Sequence, residues 1–273
     1  MWDSIIIKPF INTLLLIYNL VGQNFGVAII MFTILVKAIT HPLIANQIKS
    51  TKAMQDLQRD EDYLEMQKKY KNDKDRLAQA QMDLYKKKGI KPFASCLPTL
   101  IQFPIIIGLY QSIIQTMGNA PLQVLTLVSK IGLWMSNFFS FIPSVQNPYS
   151  LIPLNNQFLW MDLSQPDRVY IPGIPFGIPV LAIFVVLTSF LQNKITNAAS
   201  TNNDPQANQM TGMMNIYLPL LMGWFAYSLS SGLALYFAIS NVISLIQYAV
   251  LGKYKLKDLF KKKEKQPLKK PSM

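Results

Sequence analysis

Between Phe25 and Ile44 the chain is apolar, broken only by small or polar positions such as Thr33, Lys37, Thr40 and His41. Twenty residues at about 1.5 Å each match the roughly 30 Å hydrocarbon core of a bilayer, so the pattern predicts a membrane-spanning helix. Four more apolar runs of spanning character follow, at 93–117, 174–191, 213–229 and 233–251. The last two are joined only by Ser230, Ser231 and Gly232, a link short enough to predict an antiparallel helical pair. Residues 3–22 are apolar too, but Lys8, Pro9, Asn12 and Asn19 interrupt them, which fits a helix lying in the membrane interface.

The stretch 46–88 has a different character. Lys, Gln, Asp and Glu dominate, and the apolar positions Met54, Leu57, Leu64, Leu77, Ala80 and Leu84 recur in three- and four-residue steps. With the polar break at 72–75, this predicts two amphipathic helices folded back along one apolar seam, ended by Gly89. The expected fold is an all-α polytopic membrane protein with five transmembrane helices, a cytoplasmic helical hairpin and an N-terminal interfacial helix. Residues 1–250 form the membrane core and 252–273 a basic tail. Within 118–172, rich in Pro, Asn and aromatics, Leu122–Phe141 is expected to form a surface helix, with Trp134 and Trp160 at the interface.

Composition agrees with a membrane assignment: 51% of residues are hydrophobic and 15% charged, against about 25% charged in soluble domains. The placement of charge orients the chain. Residues 46–92 carry twelve Lys/Arg against eight Asp/Glu, and 252–273 carry nine Lys against two acids. Segment 116–172 has only Lys130 and Arg168, balanced by Asp162 and Asp167. The positive-inside rule then puts 46–92 and the C-terminus in the cytoplasm and the N-terminus outside. The tail suits anionic lipid or a specific docking site such as ribosomal RNA. Nothing at Met1–Gly22 reads as a cleavable signal or transit peptide.

Several chemistries have no residues to support them. The single Cys96 excludes an internal disulfide, and one His with one Cys builds no metal site. No nucleophile–base pair or phosphate-cradling glycine loop is evident, so the chain reads as a non-enzyme without a cofactor.

Lys37 is the residue that demands an explanation. A lysine near the middle of a spanning helix costs about 2.5–3.5 kcal/mol on insertion scales. Thr33 and His41 lie four residues before and after it, with Thr40 beside them, so one helix face carries a polar stripe. A water-entered groove explains the stripe; a lysine snorkelling to the interface, about 10 Å away at Ile44, explains the charge alone. Gln102, Gln192, Asn193, Asn241 and Gln247 are amides in or beside other spans, able to line a cavity or to hold helices together. Met210, Met213, Met214 and Met222 offer an adaptable apolar surface or ordinary packing.

Five blocks resemble the YidC family of membrane-protein insertases, which has mitochondrial and thylakoid relatives. They are Phe32–Leu43 with Gln47–Ser50, Leu84–Pro92, Cys96–Pro104, Phe158–Ser164, and Ser231–Tyr236 with Ser240 and Asn241. The blocks extend over nearly the whole chain and match the short form, without a large outer domain. The resemblance implies a five-helix core around a groove open to cytoplasm and lipid and closed outside. It implies a basic residue in that groove, usually arginine and here Lys37; Thr33 of the stripe and the amides Gln102, Gln192 and Asn241 are expected around it. Tyr236, Phe237 and Met222 are then expected to contact the exiting helix. Lysine lacks the planar guanidinium fork, so it offers a point charge rather than bidentate capture. A second departure is Leu229-Ser-Ser-Gly232, where many members have proline before Ser-Gly. Implied partners are nascent membrane proteins, the lipid bilayer, the ribosome, the Sec translocon and the signal recognition machinery, in a bacterial plasma membrane. A small-solute channel and a passive assembly scaffold are the competing functions.

Overall fold

The computed structural model describes residues 2–57, 60–70, 73–90, 97–117, 125, 127, 130, 154–173, 175, 177–196 and 205–251. The Leu122–Phe141 helix (but for 125, 127 and 130), Trp134, Cys96 and the basic tail lie outside these residues, as do the side chains of Met210, Met213 and Met214. Helix dominates. A π-helical turn, Asp3–Ile7, runs into α1 (Lys8–Leu20), followed by α2 (Phe25–Leu57), α3 (Glu61–Lys69), α4 (Lys74–Lys87), α5 (Leu97–Met117), α6 (Val180–Thr196), α7 (Pro205–Ser228) and α8 (Ser231–Leu251). Among the described residues three helical stretches are long and apolar enough to cross a membrane: Asp3–Leu20, Phe25–Met54 and Ser231–Leu251. Val180–Ile195 and Ile216–Ser228 are shorter apolar helices.

The helix boundaries follow local chemistry. Gly22 and Gln23 take positive φ to turn α1 into α2, and the Asn24 side chain accepts from Val27 N at 3.1 Å, capping α2. Asp60 and Asp73 cap α3 and α4 through Asp62 N and Arg76 N. Gly89, at φ +68°, ends α4 with Ile90 N bonded back to Tyr85 O and Gly89 N to Lys86 O. Lys88 closes this region by bridging Asp60 and Asp62 at 2.8 and 3.2 Å, which holds the Asp60 carboxyl below its ordinary pKa and raises that of Lys88.

Four expectations change. The first span does not stop at Ile44: α2 continues through Pro42 to Leu57, because a proline removes one backbone bond without ending a helix that packs on both sides of it. α3 ends at Lys69 and α4 begins at Lys74, about the expected polar break, but their apolar cluster is Leu57, Tyr63, Met66 and Leu77, with Tyr63 and Met66 taking the place of Leu64. The third helix starts at Val180 rather than near 174. Pro175 and Pro179 disfavour helix before them, and Ile178 pairs with Val169 in an antiparallel bridge. The fold is also not wholly α, since Gln157–Phe158 (β1) and Met161–Asp162 (β2) form a minimal hairpin with Leu159 at φ +55°.

The N-terminal helix is not a lone surface element. Ile7, Ile11, Leu14, Leu15 and Tyr18 are buried, and α1 packs on α2 and α5. Its Asn12, which reads as an interruption in the sequence, is buried and donates to Lys8 O and Lys130 O. The main core joins Leu14 and Tyr18 to Phe25, Ile29 and Phe32 of α2, Leu109 and Ile113 of α5, Met161 and Leu163, Val185 of α6, and Leu233–Ala238 of α8, while Ile7, Ile11 and Leu15 cluster separately with Leu127. Large apolar side chains on the far faces stay exposed, Ile39 at 69% among them, as expected of helices whose solvent is lipid.

One close approach fixes the β1–β2 hairpin to α2: a Cβ on Gly26 would run into the Phe158 ring. Gly26→Val is therefore expected to destabilise the protein by about 1–3 kcal/mol, the usual cost of overpacking. Thermal unfolding in detergent checks this, and an unchanged midpoint would remove Phe158 from α2.

Candidate functional site

A cavity of about 230 Å³ opens among α2, α5, α6, α7 and α8. At roughly 30 Å³ per molecule it has room for about seven waters. Its walls differ in chemistry. One is polar: Lys37, Thr40 and Gln47 from α2, Ser189, Gln192 and Asn193 from α6, Ser240, Asn241 and Ser244 from α8, and Gln102 from α5. The rest is apolar, chiefly Ile101, Phe103, Ile105 and Ile106 of α5 and Leu218, Pro219 and Met222 of α7, with Leu43 and Ile44 of α2 and Phe237 and Tyr248 of α8 beside the polar groups.

Lys37 carries the one charge among the described residues lining this space. It is 8% exposed, and its Nζ donates to Ser244 Oγ at 2.9 Å. The side chain thus turns inward onto α8 instead of reaching along α2 toward the helix end. An ammonium has three donors, and one is used here. No carboxylate lines the cavity among the described residues. One contact further along the same two helices, Gln247 Nε2 lies 3.2 Å from His41 Nδ1. The two pairs advance together, so α2 and α8 run parallel.

Other amides fasten the polar wall. Asn241 Nδ2 donates to Thr188 Oγ1 at 3.0 Å and Ser189 Oγ at 2.9 Å, tying α8 to α6. Gln102 Nε2 donates to the Tyr236 hydroxyl, tying α5 to α8. Such bonds between membrane helices average about 0.6 kcal/mol, so their main effect is to fix which faces meet.

Residues 154–173 are fastened to the starts of α6 and α8 by hydrogen bonds. Ser231 N donates to Gln165 O at 2.7 Å, Gly232 N to Leu163 O at 3.1 Å, and Ser231 Oγ to Asp162 O at 2.7 Å. Buried Asp167 accepts from Leu181 N at 2.7 Å and from Trp160 Nε1 at 3.2 Å. One segment thereby satisfies the Leu181 N–H in the first turn of α6 and the first two N–H groups of α8, which a helix end away from water requires. A Cβ on Gly232 would lie 3.1 Å from Leu163 O, so only glycine lets this segment sit so close. Between these contacts and the cavity lies the apolar core. Lys37 is about 18 Å along α2 from Phe25, and Ser244 about 20 Å along α8 from Ser231.

Of the side chains singled out in the sequence, Lys37, Gln102, Gln192, Asn241, Phe237 and Met222 line this cavity. Thr33 does not: it is buried in the core and its hydroxyl bonds Ile29 O at 2.7 Å. Tyr236 does not either, being fully buried behind Gln102. The sequence reading passed over Ser189 and Ser244, and gave Ser240 no place in the groove. Their spacing supplies a signal: Ser240 and Ser244 are four apart, and share a face of α8 with Asn241.

Residues 16–258 match the family model described as 60Kd inner membrane protein. The chain is 29% identical to membrane protein insertase YidC 2 of Bacillus anthracis, over 92% of this chain and 81% of that protein. It is 31% identical to membrane protein insertase YidC 1 of Listeria monocytogenes serotype 4b, over 92% of this chain and 72% of the relative. It is also 34% identical to the inner membrane protein ALBINO3, chloroplastic, of Arabidopsis thaliana, over 85% of this chain and 47% of the relative.

The Gln102–Tyr236 bond yields a double-mutant prediction. Gln102→Leu or Tyr236→Phe alone is expected to lower stability in detergent by about 1 kcal/mol, with the pair costing less than the sum. Strict additivity would mean that the bond does not form.

Proposed function

This chain belongs to the 60Kd inner membrane protein family, and on that premise we propose that it is a membrane-protein insertase of the YidC type acting in a bacterial plasma membrane. In this reading α2, α5, α6, α7 and α8 are the five spans, with the N-terminus outside and the C-terminus in the cytoplasm, the orientation favoured by the basic residues of 46–92 and 252–273. The cavity is then a groove entered from the cytoplasm. Residues 154–173 and the core beneath them close it outside.

The observation that carries the proposal is a buried, uncompensated lysine in a cavity with one polar and one apolar wall. A short hydrophilic segment of a nascent membrane protein enters, and its carboxylates are attracted to Lys37, whose field is weakly screened there. The groove shortens the low-dielectric path from roughly 30 Å to under about 20 Å. α5 packs on α1, α2 and α8, and α7 on α6 and α8, with no comparable contact between α5 and α7 among the described residues. That side is the exit into lipid. The substrate's apolar helix leaves past Phe237 and Met222, driven by its own transfer into hydrocarbon. No nucleotide or cofactor takes part. The α3–α4 region and the basic tail receive the substrate from the ribosome, the signal recognition machinery or the Sec translocon. A solute channel would need polar residues continuing to the other face, and the apolar core lies in that path.

The test is insertion of a single-span substrate with an acidic leader into proteoliposomes bearing Lys37→Leu, Lys37→Glu or Lys37→Arg. A hydrogen bond to a charged group contributes about 1.5–3 kcal/mol, so Leu and Glu are expected to reduce insertion at least tenfold while Arg preserves it. Equal insertion by all variants would eliminate the charge as a foothold.

A further inference from the structure

The same cavity poses a problem when no substrate is present. A buried ammonium with two unused donors and no carboxylate in reach is costly until an anion or ordered water satisfies it. Water alone meets the polar wall but not the apolar one, where Phe103 and Ile101 are exposed on the open side between α5 and α7. A ligand suited to both walls has an anionic head and a hydrocarbon body. The cavity volume of about 230 Å³ accepts a head and a few methylenes, and the rest must lie outside it.

We infer that, at rest, the cavity holds the phosphate of an anionic phospholipid against Lys37, with the acyl chains leaving between α5 and α7 along Phe103 and Leu218. This rests on the proposed groove but adds an occupant to it. The lipid is the resting counter-ion, and an arriving acidic segment exchanges with it, so charge is never left bare during the cycle. Lys37 suits the exchange, because a point charge holds phosphate less rigidly than a bidentate guanidinium does.

The experiment uses the full chain in nanodiscs of equal phosphatidylglycerol and phosphatidylcholine, extracted into neutral detergent, with retained lipid counted by native mass spectrometry. The wild type and Lys37→Arg are expected to retain phosphatidylglycerol about tenfold over phosphatidylcholine. Lys37→Leu loses this preference, and so does Ser244→Asp, which supplies an internal counter-ion and keeps the lysine paired if the Leu variant folds poorly. Lys49→Leu, at an exposed position on α2, leaves it unchanged. An acidic-leader peptide releases the lipid. Equal retention of the two lipids by the wild type, or an undiminished preference in Ser244→Asp, would overturn the inference. Stabilisation by glycerol phosphate equal to that by phosphatidylglycerol would do so as well, in favour of a free anion. Lys37-dependent insertion without lipid preference would sink the lipid and leave the groove standing. Lipid preference with Lys37-independent insertion would do the reverse.

Discussion

Everything distinctive in this bundle follows from holding one ammonium at Lys37 inside a largely apolar assembly without a carboxylate beside it. Desolvating an unpaired charge costs several kcal/mol, and a chain normally avoids the cost by pairing the group or moving it to the surface. Here Ser244 supplies a single acceptor, and the amides and hydroxyls of α6 and α8 form a polar wall around it. The helices stop short of closing over that wall. A fully packed core would need to expel the charge, and a fully open one would give it no electrostatic reach.

The opposite end of the molecule makes that arrangement possible. Residues 154–173 satisfy Leu181 N of α6 and the first two N–H groups of α8 through Asp167, Gln165 and Leu163, and Phe158 rests on Gly26 of α2. Three helices are thus held at one end by hydrogen bonds and a ring contact, while α5 and α7 share no comparable contact among the described residues. The strained turn at Leu159, 73% exposed beside Trp160 at 55%, puts amphipathic bulk at the level where those helices begin, which suits a membrane interface.

Much of this was legible in the residues. The apolar runs gave the helices, and the four-residue spacing of Thr33, Lys37 and His41 gave the polar face. The spacing alone misassigned Thr33, because a threonine in a helix can satisfy its hydroxyl on its own backbone and pack as an apolar residue. Tyr236 reads as a contact residue because aromatics do line such walls, yet its hydroxyl is taken by Gln102. The serines of α8 went unnoticed because serine is common in membrane helices and acquires meaning only opposite a charge. The extension of α2 past Pro42 and the positive φ at Leu159 depend on tertiary packing, which no local pattern encodes.

The central claim is a one-sided, water-accessible groove around Lys37, and cysteine accessibility tests it most directly. With Cys96 replaced by serine, Ser189→Cys puts a thiol on the polar wall and Leu233→Cys one in the apolar core. The account predicts that a membrane-impermeant maleimide labels position 189 from the cytoplasmic side only and leaves 233 unlabelled from either side. Labelling of 189 from the outer side, or its complete protection from both, would contradict it.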